Sequence, residues 1–313
     1  MPRIVTLTPN PTFDFAVDAD FVEANRKLRC KNPQSHPGGG GVNVARAAHR
    51  LGGDVLAIVA AGGPYGDAVI ELLEEEGVPT RVVPIEADTR IAFHVHDLKE
   101  DHEYRFNLPG GAISESEVDA ILAAIEDEVG QGDFLVGCGS LPSGEPVNFW
   151  ARAARTAKTK GAKFVLDSIN GVAEALDEGI FLLRQNRYEY PLIAGGELQW
   201  PGAISAFAAR LVDAGKAEKV AITHGGDGSI LASKNGIAKT FSVPVKAESA
   251  VGAGDSFVAA MTIAMSKDWS DESAIQFGMC GAAATRMTPG TSLFRKDDVE
   301  RLFRNNFSSA KNT

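Results

Sequence analysis

The sequence predicts an α/β fold: a doubly wound, mainly parallel sheet flanked by helices, with a small additional β-sheet. Short apolar runs alternate with segments of helical spacing through most of the 313 residues, which is typical of βα units that feed a parallel sheet. Apolar residues make up 44% of the chain, enough for a large core. Two stretches, residues 12–37 and 89–108, break the alternation. We expect one domain spanning residues 1–313, with these two stretches forming the small sheet.

Six apolar runs have the length and bounds of buried strands, and most lead into a segment of helical periodicity. The predicted strands are residues 4–8, 55–61, 133–138, 163–167, 180–183 and 219–223. The predicted helices are residues 66–76, 117–129, 146–160, 203–214 and 254–265.

The small sheet is predicted from alternation of a different kind. Residues 91–96 and 103–106 alternate like the arms of a hairpin around Lys99-Glu100-Asp101. A sheet that stands off the core has one face to cover a site and a second face that must be buried elsewhere. We therefore expect a lid that also serves as a homodimer interface.

Composition excludes several classes of partner. The net charge of −10 and the pI of about 5.2 argue against nucleic acid and against an anionic membrane surface. Cys30, Cys138 and Cys280 are odd in number and widely spaced, which favours reduced thiols over disulfides or a metal site. No window approaches the roughly 20 apolar residues of a membrane span, and the N-terminus does not have the pattern of a signal peptide. We expect a cytoplasmic protein.

The strongest chemical signal is Gly252-Ala253-Gly254-Asp255 followed by an apolar helix. Glycines before a helix leave N–H groups free to bind an anion such as phosphate, and the helix dipole reinforces this. A carboxylate there is unfavourable for phosphate binding alone, but it suits a base that accepts a proton from an attacking hydroxyl. The alternative is that Asp255 only caps the helix.

A second signal is the run from Gly38 to Gly41, which leads into a helix that carries Asn43. Glycine allows close approach of the backbone to a ligand at Gly38 and Gly39, and the Asn43 amide can hydrogen-bond sugar hydroxyls. A flexible turn would explain the glycines equally well. Neither the dinucleotide-binding G-x-G-x-x-G nor a Walker motif occurs.

The two motifs, in this order, resemble the ribokinase-like (PfkB-type) carbohydrate kinase family over the whole chain. Further segments, among them Thr6-Leu7-Thr8-Pro9 and His94-Val95-His96, are similar to its minor-type 6-phosphofructokinase branch. Relatives that act on fructose 1-phosphate or tagatose 6-phosphate usually have Lys at the position of Gly40. The resemblance implies a ribokinase-like fold and ATP-dependent phosphorylation of a phosphorylated ketohexose.

The resemblance also implies residue roles on the sugar side. Asp14 would accept hydrogen bonds from sugar hydroxyls, and Ser140 would be a weaker sugar contact. Basic residues of the lid would bind the phosphate already on the substrate, with Arg90 the best candidate and Lys27 reaching across a dimer; these residues are Lys27, Arg29, Arg90 and Arg105. Taken singly, lid cations are more often solvated surface residues.

On the nucleotide side, Asn186 and Glu189 match the family's N-x-x-E, in which Glu189 would organise Mg²⁺ through water. Thr223, Gly225 and Gly228 match a turn that wraps ATP, although a hairpin turn also explains them. The branch usually has Lys-Pro where this chain has Arg184-Gln185, a change that affects nucleotide affinity and regulation more than the reaction itself.

The expected reaction is transfer of the γ-phosphoryl group of ATP to fructose 6-phosphate, which gives fructose 1,6-bisphosphate. Tagatose-6-phosphate kinase and 1-phosphofructokinase activities are the alternatives, because one or two hydroxyl contacts separate these substrates. A kinase for nucleosides or unphosphorylated sugars is less favoured, since it would not need the basic lid residues. A sugar-phosphate sensor without catalysis is the remaining alternative from another class, and Asp255 with Glu189 argue against it.

Overall fold

The computed structural model of the protein describes residues 1–144 and 148–307. The first two residues of the helix predicted at 146–160 lie outside the described residues. The described residues form two sheets, one of nine strands and one of four. No helix of the described residues is long and apolar enough to cross a membrane.

The large sheet has the strand order β13-β12-β11-β10-β9-β8-β1-β4-β5. The six pairings from β11 to β5 are parallel, and β12 and β13 extend the sheet as antiparallel strands. The strands are β1 (Ile4–Thr8), β4 (Val55–Ala61), β5 (Thr80–Pro84), β8 (Phe134–Cys138), β9 (Lys163–Asp167), β10 (Ile180–Asn186), β11 (Ala217–Thr223), β12 (Ser229–Ser233) and β13 (Gly236–Thr240).

Helices cover both faces of this sheet, so apolar strand residues are buried on either side in two separate cores. The helices of the first core are α1 (Gly40–Arg50), α2 (Gly63–Glu75), α8 (Ala253–Ser266), α9 (Asp271–Arg286) and α10 (Lys296–Phe307). The helices of the second core are α3 (Glu115–Glu128), α4 (Phe149–Thr159), α5 (Val172–Glu178), α6 (Tyr190–Ala194) and α7 (Gly202–Asp213). The predicted doubly wound architecture is confirmed.

The small sheet has the order β3-β2-β6-β7 and consists of β2 (Thr12–Ala19), β3 (Cys30–Gly38), β6 (Arg90–Asp97) and β7 (His102–Asn107). β2 and β6 are parallel, and the other two pairings are antiparallel, including the predicted hairpin of β6 and β7. Because alternate residues of a strand point to opposite faces, the register separates an apolar face from a polar one. Phe15, Phe93 and Phe106 form one row across the apolar face.

All six predicted strands are present. Three further strands of the large sheet, β5, β12 and β13, were not predicted from the sequence. β5 has a single buried residue, Val83, and most of β13 is exposed, so neither shows the apolar run that marked the other strands. β10 also continues three residues beyond its predicted end. Its last residues are polar, yet Arg184 and Gln185 are buried.

Candidate active site

The candidate site lies at the carboxyl edge of the large sheet, beside β1 and β8. From β1 the strand order runs to β4 in one direction and to β8 in the other, and such a reversal leaves a crevice at the carboxyl ends of the strands. The N-termini of α1 and α8 both reach this crevice, as the contact between Asn43 of α1 and Asp255 of α8 shows. β2 of the small sheet contributes Asp14, which is close enough to Asp255 for the charge of Asp255 to raise its pKa.

Asp255 is the third residue of α8 and does not cap that helix. The N-cap position belongs to Gly252, which has a φ of 71°. One Asp255 oxygen, Oδ2, accepts a 2.8 Å hydrogen bond from Nδ2 of Asn43. The other, Oδ1, lies 3.6 Å from the Cys138 thiol. Burial, and secondarily the nearby carboxylate of Asp167, raises the pKa of Asp255 to about 6, while the Asn43 hydrogen bond opposes this rise.

Asp14 is 5% exposed and lies between the glycine run and Arg90. A side chain at Gly38 would collide with the Asp14 carboxylate, so glycine is required for this approach. Burial raises the pKa of Asp14 to about 6, and Arg90 partly offsets the effect. Among the described residues, Oδ1 of Asp14 and Nε of Arg90 are buried without hydrogen-bond partners. Buried polar atoms are rarely left unpaired, so this pair is suited to a polar ligand.

The other basic residues predicted for the substrate phosphate are not gathered around Asp14. Lys27 and Arg29 are exposed in the loop between β2 and β3, and within the described chain neither takes part in an ion pair or side-chain hydrogen bond. Arg105 of β7 is paired with Glu103. Ser140 is exposed, and its hydroxyl accepts a 3.2 Å hydrogen bond from Asn10.

Arg184 occupies the centre of the nucleotide side. Its Nη1 lies 3.0 and 3.1 Å from the two carboxylate oxygens of Asp167, and its Nη2 donates a 2.9 Å bond to the Thr223 hydroxyl. The guanidinium packs directly against Gly254, so it adds positive charge to the N-terminus of α8. Arg184, Thr223, Gly225 and Gly254 line a cleft whose remaining wall is largely apolar.

The N-x-x-E residues form a local turn at the end of β10. The Asn186 side chain accepts a hydrogen bond from the Tyr188 N–H, and Glu189 Oε2 accepts one from the Asn186 N–H, both of 2.8 Å. Burial and the Asp167 carboxylate raise the pKa of Glu189. Gly228 has a structural reason of its own, since its φ is 103° and a side chain there would collide with the Thr240 carbonyl.

Three residues of this site were missed by the sequence analysis: Asp167, Cys138 and Arg46. Asp167 and Cys138 are the last residues of β9 and β8, and in a parallel sheet such positions converge on one edge. That signal was present in the sequence. Arg46, on α1, is 1% exposed, and nothing in the sequence distinguished it from a surface arginine.

Comparison with known proteins matches residues 9–297 to the family described as pfkB family carbohydrate kinase. ATP-dependent 6-phosphofructokinase isozyme 2 of Mycobacterium tuberculosis is 38% identical over 302 residues, which cover 96% of this chain and 89% of the relative. The isozyme 2 of Escherichia coli is 35% identical, with 97% and 98% covered. The crystal structure of E. coli phosphofructokinase-2 in complex with fructose-6-phosphate is 34% identical, covers 97% of this chain and 99% of that one, and superimposes with a TM-score of 0.91. The chain therefore belongs to the pfkB family of carbohydrate kinases.

Proposed function

We propose that this protein is an ATP-dependent kinase that converts fructose 6-phosphate into fructose 1,6-bisphosphate. The observation that carries the proposal is the placement of Asp255: a half-buried carboxylate, held by Asn43, at the helix N-terminus that lies against Arg184. A base beside a phosphate-binding helix end is what phosphoryl transfer to an alcohol requires. The names of the relatives, which are ATP-dependent 6-phosphofructokinases, support the same activity.

On the sugar side, Asp14 accepts hydrogen bonds from sugar hydroxyls, and Arg90 binds the phosphate already on the substrate. The unpaired Asp14 Oδ1 and Arg90 Nε support these roles. Gly38, Gly39 and Asn43 shape the floor of the sugar site. We propose that Ser140, Lys27, Arg29 and Arg105 contact the sugar phosphate only after the small sheet closes over the crevice.

On the nucleotide side, ATP occupies the cleft lined by Thr223 and Gly225, with Asn186 and Gly228 shaping the turns beside it. Arg184 and the N–H groups of residues 252–254 face the phosphates. In the transfer, the sugar C1 oxygen forms a bond to the γ-phosphorus while the bond from that phosphorus to the bridging oxygen of ADP breaks. The hydroxyl proton moves to Asp255, and the charge that develops on the transferred group is stabilised by Arg184 and the helix N-terminus.

The excess of negative charge on the nucleotide side also fits a magnesium ion on ATP. Three carboxylates, those of Asp167, Glu189 and Asp255, face one arginine here, Arg184, and mutual repulsion contributes to the raised pKa values of Glu189 and Asp255. Mg²⁺ prefers oxygen ligands and usually retains several waters. We propose that Glu189 holds it through water. When bound, it would neutralise charge on the ATP oxygens.

We further propose that the protein is one domain whose small sheet closes over the site and joins two copies into a homodimer. The apolar face supports this, because a row of three aromatic side chains crosses it: Phe15, Phe93 and Phe106. Phe106 is 55% exposed in the single chain. The E. coli neighbour has been solved in a tetrameric inhibited form.

Three free cysteines are consistent with a reducing cytoplasm.

Tagatose 6-phosphate and fructose 1-phosphate are the alternative substrates. Kinases for those sugars usually have Lys where this chain has Gly40, and a side chain at Gly40 would come within 2.7 Å of the Cys138 sulfur and the Gly139 nitrogen. Glycine at this position therefore favours fructose 6-phosphate.

The experiment that tests the function is steady-state Mg-ATP-dependent phosphorylation of fructose 6-phosphate, tagatose 6-phosphate, fructose 1-phosphate, fructose and adenosine, compared by kcat/KM. We expect a clear preference for fructose 6-phosphate. A preference for another sugar phosphate would keep the mechanism and change the substrate. Nucleotide binding without turnover on any of the five would contradict the proposal and favour a sensor.

A further inference from the structure

Arg46 lies beneath the site, on the side of Asn43 away from Asp255. It is 1% exposed, so its charge must be compensated inside the protein. Its Nε donates a 2.9 Å hydrogen bond to Glu76, and Nη2 contacts the same carboxylate. Its Nη1 donates two hydrogen bonds, one of 3.0 Å to the Pro37 carbonyl and one of 3.3 Å to Oδ1 of Asn43. Arg50 donates a 3.0 Å bond to the same glutamate from the next turn of α1.

These contacts determine which way the Asn43 amide points. A guanidinium can only donate hydrogen bonds, so the group of Asn43 that faces Arg46 must be the oxygen. The amide nitrogen then faces Asp255, where it donates to Oδ2. A donor on this side stabilises the ionised carboxylate, which is the form that accepts a proton. A reversed amide would place oxygen against oxygen and favour the protonated form.

We propose that Arg46, fixed by Glu76, is a positioning residue that holds the Asn43 amide in the orientation needed to keep Asp255 ionised. The inference rests on the proposed role of Asp255 as the base. It assigns a function to an arginine that touches neither the Asp255 carboxylate nor the nucleotide cleft. The fork geometry of Arg46 is essential, because Nε and Nη2 contact Glu76 while Nη1 contacts the Pro37 carbonyl and Asn43, and an ammonium has all its donors on one nitrogen.

Other charged groups near Asp255 must be separated from this effect. Asp167, Arg184 and Cys138 act on the Asp255 carboxylate directly, and Asp14 and Asp255 influence each other through their charges. Within the described residues, Arg46 forms a hydrogen bond with none of these four groups. Arg46 also stabilises the ionised form of Asp14 through its charge, as a lysine would.

Around Arg46 itself, Glu76 and Arg50 form the ion pairs. The pKa of Glu76 is lowered, because hydrogen bonds and charge from the two arginines outweigh its burial. Burial, together with Arg46, lowers the pKa of His36 to about 4, so His36 does not titrate near pH 6.

The test compares Arg46→Met, Arg46→Lys and the matched control Arg50→Met, which loses an ion pair with Glu76 but no contact to Asn43. Two quantities are measured: the acidic limb of kcat/KM against pH, and the titration of the Asp255 carboxyl by carbon-13 NMR in the unliganded protein, assigned by its absence in Asp255→Asn. Losing one hydrogen bond to the ionised carboxylate should raise the midpoint of the Asp255 titration, and with it the acidic limb, by about one pH unit. We expect Arg46→Met to shift both the acidic limb and the Asp255 titration upward by this amount. Arg46→Lys should show the same upward shift, and Arg50→Met should show none.

A second pair of variants keeps the inference testable if Arg46→Met does not fold. Glu76→Gln should move both quantities in the same direction by a smaller amount. Asn43→Ala should shift the Asp255 titration upward. The double variant that also carries Arg46→Lys should titrate at the same pH as Asn43→Ala alone. Reduced thermal stability with an unmoved Asp255 titration would overturn the inference. If the protein phosphorylates no sugar of the panel, the proposed function fails, while the NMR titration still decides the role of Arg46.

Discussion

The Asn43 amide and the Asp255 carboxylate are joined by a 2.8 Å hydrogen bond across 212 residues of sequence. This bond connects the helix that follows the first glycine run to the helix that follows the second. Both glycine motifs of the sequence therefore converge on a single carboxylate, and the base is held from the sugar side of the crevice.

Activity should depend on pH with an acidic limb near pH 6. The pKa of Asp255 is raised to about 6, and the base must be ionised to accept the hydroxyl proton. kcat/KM should therefore fall at least tenfold for each pH unit below 6, because Asp14, whose pKa is also raised to about 6, is protonated over the same range, and it should approach a plateau above 7. A profile of kcat/KM for fructose 6-phosphate between pH 4.5 and 8.5 measures this. A limb near pH 4 would mean that burial does not perturb the base.

Replacement of the base should stabilise the fold at neutral pH. The pKa of Asp255 is 3.8 unperturbed and about 6 in the folded protein, so the folded state binds more protons between these values, and stability falls as pH rises from 4 to 6. Asp255→Asn removes this cost of up to about 3 kcal/mol. Its Tm should exceed that of the wild type by a few degrees at pH 7.5, and the difference should vanish near pH 4. A lower Tm at pH 7.5 would contradict the assignment.

Arg90→Met should weaken substrate binding selectively. Loss of a charge-assisted hydrogen bond to phosphate should raise KM for fructose 6-phosphate about 10- to 100-fold, because such bonds contribute about 1.5–3 kcal/mol. KM for ATP should stay within twofold. Arg105→Met is the matched comparison, since Arg105 is already paired with Glu103 and should matter less. An equal effect of the two variants would refute the special role of Arg90.

Arg184→Lys should raise KM for ATP about tenfold while the protein remains folded. The guanidinium spans Asp167 and Thr223, and an ammonium cannot reach both in the same geometry. Arg184→Met should be far less stable, because it leaves Asp167 buried and unpaired, at a cost of about 3–5 kcal/mol. Nucleotide titration and thermal unfolding of both variants measure these effects. Unchanged ATP binding in Arg184→Lys would exclude Arg184 from the nucleotide site.

Sequence patterns predicted the fold because they depend on local periodicity. The buried runs of the large sheet and the alternation of β6 and β7 are visible without tertiary information. β13 was missed because an edge strand has few buried residues to reveal it. Asp255 and Asn43 could be identified from the glycines beside them.

The remaining site residues depend on contacts that no local pattern encodes. Arg46 and Glu76 are 30 positions apart, and their pairing is known only once α1 and the end of α2 lie side by side. Arg184 was expected at the nucleotide, but its ion pair with Asp167 depends on the register of β9 against β10. The lid cations Lys27 and Arg29 remain predictions, since both lie in an exposed loop.

The most direct test of Asp255 as the base is kcat of Asp255→Asn with saturating Mg-ATP and fructose 6-phosphate, measured beside its ATP affinity. We expect a loss of at least several hundredfold in kcat, within the roughly 10²–10⁴ typical of a general base, and ATP affinity close to that of the wild type. A kcat within tenfold of the wild type, with ATP still bound, would contradict it.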